Sequence, residues 1–392
     1  MKILVLGGAG LQGKAVLHDL SKSPQVKEVI CADIAFESLA GLKFLDMKKI
    51  KLKKLDVKDR KALVSLMKDK VDVVIDVLPV AFVGDVAAAA LEAKVSVVNT
   101  MYGHMMPGGS HEKAVEKGIT FMPESGLDPG IDLVLCGYGV SQMDEVYDLH
   151  SYCGGFPERK ACNNPLNYKI TWTWNGVLLS YKRPAKIMKD GKVIDIPAKD
   201  QHADQWVQKI DFPEVGNLEL IPNGNAIIFA EYLGILKTLR SASRCSMRWP
   251  GHSALWKQLV DLNFLSDEPV KTLPFELTPH QFMVKHLEPQ LQYEKNERDI
   301  VAMRNIIVGQ KEGRRKRIIY DMLDMRDLET GLFAMNRTVG YTASIVAQMI
   351  ANGEIKKKGL LTPIRDIPYR QFLDEIKKRG ISIQEKIETE EN

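Results

Sequence analysis

The first residues of this sequence with a clear chemical use are three glycines near its start. They form a Gly-x-Gly-x-x-Gly pattern between an apolar run, Lys2 to Leu6, and a segment of helical character from Lys14 to Leu20. In a dinucleotide site such glycines allow a tight turn, a close approach of the backbone to a pyrophosphate, and close packing of the helix on the strand. The helix N-terminus behind them offers free N–H groups and a partial positive charge to phosphate. The residues predicted to hold the diphosphate are Gly8, Gly10, Leu11, Gln12 and Gly13.

A carboxylate follows about twenty residues further along, where a dinucleotide site needs one. Asp33 ends a second apolar run that starts at Glu28. An acid in this place accepts hydrogen bonds from the adenosine ribose hydroxyls and repels a 2′-phosphate. No arginine occurs in residues 34–36 to accept such a phosphate. The sequence therefore predicts NAD in preference to NADP, although one residue does not exclude NADP. The alternative interpretation is that Asp33 caps the next helix.

Runs of strand and helix character alternate through the first 130 residues and would position these groups. Strands are predicted at 2–6, 28–33, 50–55, 71–78, 95–99 and 119–123. Helices are predicted at 14–20, 36–44, 58–67 and 110–117, and an alanine-rich helix follows the fourth strand and ends at 93. Strands that alternate with helices over short loops form a parallel sheet covered on both faces. The predicted fold class is therefore α/β, with a Rossmann doubly wound parallel sheet.

Such a sheet binds its ligands at the carboxyl ends of its strands, which adds candidates. Leu78 and Pro79 end the fourth predicted strand and should pass over the nicotinamide ring. Asp56 follows the third strand, where it either meets the adenine edge or caps the next helix.

The pattern changes after Leu127-Asp-Pro-Gly130 and indicates a second domain. A helix predicted at 131–140 leads into segments of β character at 146–153, 168–174 and 186–196, the last with a hairpin turn at 189–192. A long hairpin is predicted from 300–308 and 317–324. We expect residues 1–130 to form the NAD(P)-binding domain and residues 131–334 an α+β domain for substrate binding and dimerisation, with a mainly antiparallel sheet. Residues 335–392, with a helix at 338–351, should return to the first domain, and the acidic tail after Gln384 should be frayed.

Composition excludes several classes of function. A chain of 392 residues can hold two domains, and its apolar (45%) and charged (27%) fractions are ordinary. A net charge of +4 is slight, and no basic stripe interleaves with aromatic residues, so a nucleic-acid partner is not indicated. The most apolar region, 71–98, is interrupted by charged residues and proline, so no membrane span is predicted.

The cysteines and histidines show no pattern of a metal or disulfide site. The five cysteines are scattered without a Cys-x-x-Cys pair, and reduced thiols in a cytoplasmic protein are the default. The histidines lack metal-ligand spacing and no His-Glu-x-x-His motif occurs, so no catalytic metal is predicted.

Several short motifs resemble the saccharopine dehydrogenase-like family of saccharopine reductases and lysine 6-dehydrogenases, and the resemblance runs over nearly the whole chain. They are Ser125-Gly-Leu-Asp-Pro-Gly-Ile131, Tyr152-Cys-Gly-Gly-Phe-Pro157, Asn164-Pro165, Tyr168-Lys-Ile-Thr-Trp172, Arg183-Pro-Ala185, Pro222-Asn223 and Arg244-Cys-Ser-Met-Arg-Trp-Pro-Gly251. The resemblance implies an NAD(P)-dependent oxidoreductase that acts on the CH–NH bond of a lysine-derived amino acid through an imine. It does not select one substrate within the family.

The resemblance also implies that Tyr102, Asp128 and Cys153 line the reaction centre. Tyr102 lies just after the fifth predicted strand, at the edge where such sheets bind ligands. Asp128 could act as a general base or hold a protonated amine, or could instead be the N-cap of the helix from Gly130. Cys153 could exchange protons if its pKa is lowered, or could be a small buried apolar residue.

An amino-acid substrate carries carboxylates, which call for forked guanidinium donors. Arg244 and Arg248 fit this need, with Asn164 and Lys169 as secondary candidates. The motif that contains the two arginines, Arg244 to Gly251, resembles the Arg-Gly-Thr-Leu-Arg-Tyr-Pro-Gly of saccharopine reductases. Lysine 6-dehydrogenases lack the first of these arginines. Against this, saccharopine reductases usually carry Pro-Asn-Arg-Asp-Ser where this chain has Pro222-Asn-Gly-Asn-Ala226.

The first interpretation is therefore conversion of saccharopine to aminoadipate semialdehyde and glutamate. The first alternative is oxidative deamination of the lysine ε-amino group. A second alternative is a related dehydrogenase that acts on a polyamine precursor. A non-catalytic NAD-binding sensor or assembly protein is the alternative from another class. The resemblance further implies a homodimer formed through the second domain.

Overall fold

The computed structural model describes residues 1–389 of the chain. Its strands are β1 Lys2–Leu6, β2 Glu28–Asp33, β3 Ile50–Lys54, β4 Val73–Asp76, β5 Ser96–Asn99, β6 Thr120–Met122, β7 Glu145–Pro157, β8 Ala185–Lys189, β9 Lys192–Ile196, β10 Gln208–Phe212, β11 Gly216–Pro222, β12 Ser241–Arg248, β13 Asp299–Lys311, β14 Arg314–Met325, β15 Gly359–Leu360 and β16 Ile383–Thr389. Its α-helices are α1 Leu11–Lys22, α2 Arg60–Lys68, α3 Val83–Ala93, α4 Ser110–Lys117, α5 Ile131–Val140, α6 Trp174–Ser180, α7 Ile227–Leu233, α8 His252–Asp261, α9 Pro279–Leu287, α10 Ala334–Ala351, α11 Pro363–Asp366 and α12 Tyr369–Lys378.

These elements form two units. The first consists of Met1–Tyr138 and Asn336–Ser382, and the second of Gly139–Met335 and the segment that begins at Ile383. Among the described residues, no helix is both long and apolar enough to cross a membrane.

The first unit is built on a seven-stranded sheet in the order β15-β6-β5-β4-β1-β2-β3, in which every neighbouring pair is parallel. Strands β1, β4 and β5 are almost wholly buried because helices cover both faces of a parallel sheet. The predicted doubly wound α/β fold is confirmed.

Two helices of this unit differ from the prediction. The segment predicted as a helix at 36–44 forms only one 3₁₀ turn, Glu37–Leu39. Helix α2 begins at Arg60 rather than at 58, because the Asp59 side chain caps it by accepting a hydrogen bond from the Ala62 N–H at 3.0 Å.

The second unit is built on a nine-stranded sheet. Seven of its strands follow the order β10-β11-β12-β7-β13-β14-β16, and the β8–β9 hairpin joins at β12. Only the β12–β7 pair is parallel among the described pairs, so the predicted mainly antiparallel sheet is confirmed. Both predicted hairpins form, β8 with β9 and β13 with β14.

Two predictions for this unit are wrong. Residues 168–174 do not form a strand, because Tyr168 and Trp174 are buried in a cluster of aromatic side chains and Trp174 starts α6. Residues 384–389 of the tail do not fray, because β16 pairs antiparallel with β14 from Ile383 to Thr389 and covers its edge; the rest of the predicted tail, 390–392, lies outside the described residues. Residues 383–389 therefore belong to the second unit, not to the first as expected.

Candidate active site

The glycine-rich turn between β1 and α1 is shaped by close backbone contacts. A Cβ on Gly13 would lie 2.3 Å from the Gly7 carbonyl oxygen, and one on Gly8 would lie 2.5 Å from the Cys31 sulfur. The left-handed turn falls on Gly7 (φ +79°), one residue before the glycine expected to make it. Helix α1 begins directly behind Gly10, which has no side chain to cap its first N–H groups. These groups suit a phosphate.

Asp33 lies at the end of β2 and braces this turn. Its Oδ2 accepts a hydrogen bond from the Ala9 N–H at 3.0 Å, and its Oδ1 accepts one from the Ile34 N–H at 2.8 Å. Phe36, not Asp33, is the N-cap residue of the following 3₁₀ turn. The carboxylate is thus held beside the turn, where a ribose hydroxyl can reach it.

The remaining residues predicted to contact the cofactor in this part of the unit have different surroundings. Leu11 is 43% exposed, and Gln12 accepts a hydrogen bond from the Asn336 side chain at 3.5 Å. Asp56 accepts a hydrogen bond from the Lys58 N–H at 2.9 Å, and the cap of α2 is Asp59 instead.

The segment after β4 approaches the glycine-rich turn from its other side. A Cβ on Gly7 would lie 3.1 Å from Leu78 Cδ2, so the Leu78 side chain packs against the turn, and Pro79 follows it. The Leu78 N–H donates a hydrogen bond to the buried carboxyl of Asp76 at 3.1 Å. Burial raises the pKa of Asp76 to about 7, while that hydrogen bond acts to lower it.

Tyr102 and Asp128 follow two neighbouring strands, β5 and β6. The Tyr102 ring stacks on His104 with their centroids 5.5 Å apart. Asp128 lies in a tight loop in which the Gly126 N–H donates to the Pro129 carbonyl at 3.1 Å. A Cβ on Gly130 would lie 1.9 Å from the Gly126 oxygen, so this loop requires a glycine there.

Glu124 is a residue of this region that the sequence did not single out. Its buried carboxylate accepts hydrogen bonds from the Gly103 N–H at 3.1 Å and the Thr362 hydroxyl at 2.9 Å, and its own N–H donates to Met101 at 2.8 Å. It therefore fixes the backbone on both sides of Tyr102. Its position beside the Ser125–Ile131 motif was the only sequence signal.

The strand order brings the candidate residues of the first unit to one edge of its sheet. Because all strands are parallel, their carboxyl ends meet there. In sheet order the edge presents Asp128 after β6, Tyr102 after β5, Leu78 and Pro79 after β4, the glycines after β1, Asp33 at the end of β2 and Asp56 after β3.

A second group of candidates shares one face of the nine-stranded sheet. Strands β7 and β12 run parallel with Cys153 beside Ser246 and with Ser151 beside Arg244. Alternate residues of a strand point to the same face, so these side chains and Arg248 lie on one side. We call this side the Cys153 face. Cys153, Arg244 and Arg248 are all buried.

Arg248 is a buried cation held by aromatic rings. Its guanidinium lies 5.3 Å from the centre of the Tyr168 ring and donates from Nη1 to the Met247 carbonyl at 2.8 Å. Within residues 1–389 no carboxylate forms an ion pair with it. Burial acts to lower the pKa of Arg248, but the neighbouring Tyr181 and Tyr168 hydroxyls outweigh it and the pKa is raised.

Two histidines near Arg248 add no positive charge. Burial, reinforced by the Arg248 charge, lowers the pKa of His202 to about 3 and that of His252 far below its usual value. His252 Nε2 forms a hydrogen bond with the Tyr181 hydroxyl at 2.7 Å. The positive charge of this cluster is therefore that of Arg248.

Several buried polar atoms near the Cys153 face have no hydrogen-bond partner in the described part of the chain: Ser151 Oγ, Thr171 Oγ1, Asn223 Oδ1 and Arg248 Nε. Asn223 donates from its side chain to Ser246 at 2.9 Å. A Cβ on Gly155, two residues beyond Cys153, would lie 3.0 Å from Thr171 Oγ1. A polar ligand would satisfy these atoms. Ser246 and Thr171 were not singled out from the sequence, although both lie within its motifs.

The two secondary candidates are engaged within the protein. Lys169 is buried and forms an ion pair with Glu297, with nitrogen–oxygen distances of 2.6 and 2.7 Å. The Asn164 side chain donates to the Tyr168 carbonyl at 2.8 Å and accepts from the Leu166 N–H at 3.0 Å. Both side chains shape the segment that carries Tyr168.

Across residues 1–389, no group of three or more His, Cys, Asp or Glu side chains is arranged to hold a metal ion. All five cysteines are free thiols.

Comparison with known proteins covers nearly the whole chain. Residues 3–122 match the family model described as the saccharopine dehydrogenase NADP binding domain, and residues 126–381 match the saccharopine dehydrogenase C-terminal domain. The mitochondrial alpha-aminoadipic semialdehyde synthase of Mus musculus is 28% identical over 97% of this chain and 47% of its own length. The chain thus spans about half the length of the synthases it matches.

Two further comparisons cover nearly the full length of both proteins. The saccharopine dehydrogenase [NADP(+), L-glutamate-forming] of Saccharomyces cerevisiae is 27% identical over 98% of this chain and 99% of its own. The solved structure of an apo histidine-tagged saccharopine dehydrogenase (L-Glu forming) from Saccharomyces cerevisiae superposes with a TM-score of 0.85 at 25% identity, over 99% of each chain. The predicted family is confirmed: this chain belongs to the saccharopine dehydrogenase family.

Proposed function

We propose that the protein is an NAD(P)-dependent oxidoreductase that acts on the CH–NH bond of saccharopine, giving aminoadipate semialdehyde and glutamate. The full-length yeast relative named for this reaction supports the choice of substrate. Among the structural features, the proposal depends most on Arg248, a buried guanidinium without a carboxylate partner among residues 1–389. A buried charge needs a counter-charge, and a substrate carboxylate supplies one.

The glycine-rich turn fits the diphosphate of a nicotinamide coenzyme. Side chains at Gly8 and Gly13 would clash within the turn, and the N–H groups of α1 are open behind it. Leu78 and Pro79 follow the neighbouring strand and would contact the nicotinamide side of the coenzyme. When bound, NAD(P)⁺ accepts the hydride that leaves the substrate carbon.

The overall reaction balances with one water. The substrate carbon loses a hydride and its nitrogen loses a proton, which gives an imine. Water adds to the imine, and the C–N bond breaks to release an aldehyde and the amine of glutamate. The products are the aldehyde, glutamate, the reduced coenzyme and one proton.

Three residues of this chain are proposed to move or hold protons in these steps. Asp128 would accept the proton from the substrate nitrogen or hold it in place. Cys153 and Tyr102 would exchange protons with the attacking water and the departing amine. Arg244 and Arg248 would bind substrate carboxylates through forked N–H donors. Lys169 and Asn164 would act through the segment that carries Tyr168.

Asp33 supports a preference for NAD. Its carboxylate is fixed beside the glycine-rich turn by two backbone N–H groups and would repel a 2′-phosphate. The family model and the yeast relative are named for NADP, so the coenzyme is tested with both forms.

The test follows nicotinamide reduction with saccharopine, lysine and diaminopimelate as separate substrates, each with NAD⁺ and NADP⁺. Saccharopine with NAD⁺ should give the highest kcat/KM, and glutamate should accumulate in a 1:1 ratio with reduced coenzyme. Turnover of lysine without turnover of saccharopine would reject the substrate but keep the reaction class. Coenzyme binding without turnover of any amine would indicate a sensor.

We further propose a homodimer formed through the second unit and a cytoplasmic location, with no nucleic-acid or membrane partner. Five free thiols suit a reducing compartment. Sedimentation of the full chain tests the dimer, and imaging of the protein in its own cells tests the location.

A further inference from the structure

A pocket of about 470 Å³ opens on the nine-stranded sheet. Its floor consists of side chains from β7 and β13, among them His150, Tyr152 and Ile306. Arg315 and Arg317 of β14 line one side, next to β16. Asp148 of β7 adds a carboxylate to the lining. All these residues belong to the second unit.

This pocket lies on the opposite side of the sheet from the Cys153 face. Side chains alternate along a strand, so Asp148, His150 and Tyr152 share one side of β7, and Ser151 and Cys153 share the other. The pairing of β7 with β13 supports this assignment, because Val308 and Ile306, which also line the pocket, lie beside Asp148 and His150. A ligand in this pocket would therefore make no direct contact with the proposed substrate residues.

The floor of the pocket offers hydrogen bonds without net charge. His150 Nδ1 forms a hydrogen bond with the Ser243 hydroxyl at 2.7 Å. Burial, reinforced by the Arg317 charge, lowers the pKa of His150 to about 4, so its ring is neutral near pH 7. Ile306 and the Tyr152 ring add an apolar surface for a short hydrocarbon chain.

The lining of the pocket also carries charges of both signs. Arg315 and Arg317 are spaced two residues apart on one strand and point to the same side, as a carboxylate-binding pair requires. Asp148 is half-buried within their field. Arg317 already pairs with Glu388 across 3.3 Å, at about 40% exposure, where a partner is easily exchanged.

We propose that this pocket binds a free α-amino acid in its zwitterionic form, with the carboxylate between Arg315 and Arg317 and the ammonium group on Asp148. A ligand with only one of the two charges would leave the other set of groups unmatched. The side chain of the amino acid lies along Ile306 and Tyr152. The proposal is independent of the proposed function, because the pocket shares no side chain with the Cys153 face.

The pocket has a direct connection to the proposed substrate residues through two strands. The hydrogen bond between His150 and Ser243 joins β7 to β12. The next residues along these strands, Ser151 and Arg244, pair with each other on the Cys153 face. A ligand that moves His150 or Ser243 would therefore change the position of Arg244 on the other face.

The test is a calorimetric titration of the full-length chain carrying Arg248→Met, which removes one of the two guanidinium groups proposed to bind carboxylates on the Cys153 face. L-lysine and L-glutamate should each bind at one site. Glutarate, which lacks the ammonium group, and 1-aminopentane, which lacks the carboxylate, should bind at least about tenfold more weakly.

Variants of the pocket then locate the site. Arg317→Gln and Asp148→Asn should each weaken L-lysine binding by about tenfold or more. Lys311→Gln, in the same hairpin but paired with Asp144 outside the pocket, is the matched control and should leave binding unchanged. Thermal unfolding of each variant checks that it is folded.

Three results would overturn the proposal. One is no amino-acid binding to the Arg248→Met protein, and another is binding that neither pocket variant weakens. The third is a dimer that sedimentation shows to dissociate in Arg317→Gln, because a second copy would then cover this side of the sheet. Loss of turnover in Arg248→Met bears only on the proposed function.

Discussion

The two sheets of this protein present their candidate groups in different ways. In the seven-stranded sheet the groups follow the strands, in loops at one edge, and the turn proposed to bind the coenzyme is made of backbone. In the nine-stranded sheet the candidate groups are side chains within β7 and β12. A backbone site depends on the absence of side chains, whereas a site on a sheet face depends on the chemistry of each one. Substitutions in the two sheets should therefore reduce function for different reasons: added bulk in the first sheet and lost chemical groups in the second.

The largest effect is expected where a methyl group enters the glycine-rich turn. Gly13→Ala would place a Cβ 2.3 Å from the Gly7 oxygen and 2.5 Å from the Gly8 Cα, so backbone must move. We expect roughly a 100-fold loss of coenzyme affinity, equivalent to about 3 kcal/mol, measured by quenching of tryptophan fluorescence.

Gly84→Ala in α3 is the matched control, because no atom lies within 4 Å of its added Cβ. It should leave coenzyme affinity unchanged and stabilise the fold by about 0.5–1 kcal/mol. Equal coenzyme affinity in both variants would show that the turn is not the diphosphate site.

A charge-specific loss is expected on the Cys153 face. Arg248→Met should lower kcat/KM for saccharopine by roughly 100-fold, through KM, because an unpaired substrate carboxylate costs about 2–5 kcal/mol. Coenzyme affinity should not change. Arg159→Met is the control, since Arg159 also stacks on a ring, that of Trp249 at 4.7 Å, but is exposed. An equal loss in the two variants would remove Arg248 from the substrate site.

Asp33→Asn tests the coenzyme preference of the first unit. The amide keeps one oxygen for a backbone N–H but no longer repels a 2′-phosphate. The ratio of kcat/KM for NAD⁺ to that for NADP⁺ should fall by about tenfold. A ratio that does not move, or that rises, would mean that Asp33 acts only as a brace of the turn.

The smallest effects are expected from two buried carboxyls, one in each unit. Burial raises the pKa of Asp76 and of Asp299 to about 7, above the ordinary value of 3.8. A raised folded-state pKa means that the folded protein holds the proton more tightly. Each group therefore contributes stability near pH 4 that is lost as pH rises through 7.

The two carboxyls accept different numbers of hydrogen bonds, so their asparagine variants should differ in thermal stability. Asp76 accepts one N–H, so Asp76→Asn should match the parent Tm near pH 4 and exceed it by a few degrees at pH 8. Asp299 accepts two N–H groups, of Ala334 and Met335, so Asp299→Asn must turn an N–H donor towards another donor and should lower Tm. Equal, pH-independent shifts in both variants would contradict these assignments.

Groups that lie close together in the chain were predictable, and groups assembled from distant segments were not. The glycine pattern, Asp33 and the strand ends at Leu78 and Tyr102 are all local to a strand–loop–helix unit, so period and spacing located them. The left-handed position at Gly7 was missed because two adjacent glycines both permit it. The brace at Glu124 depends on Thr362, which no local pattern connects to it.

The second unit shows the same limit more strongly. Residues 168–174 have the composition of a strand, but burial of Tyr168 and Trp174 among other aromatic side chains overrides that preference. The composition of the acidic tail favours disorder, yet pairing with β14 orders its residues up to Thr389. Lys169 was chosen for its charge, and only the fold reveals its partner Glu297, 128 positions away.

The order of the chain through its two units has a practical consequence. The backbone leaves the first unit after Tyr138, returns at Asn336 and leaves again after Ser382. Gly340 of α10 fits so closely on α1 that an added Cβ would lie 2.7 Å from that of Ala15. A gene truncated near codon 138 would thus encode a first unit without α10, α11, α12 and β15. This N-terminal fragment should bind the coenzyme only when a separately expressed peptide with residues 336–382 is mixed with it. The protein is therefore suited to experiments on fragment complementation.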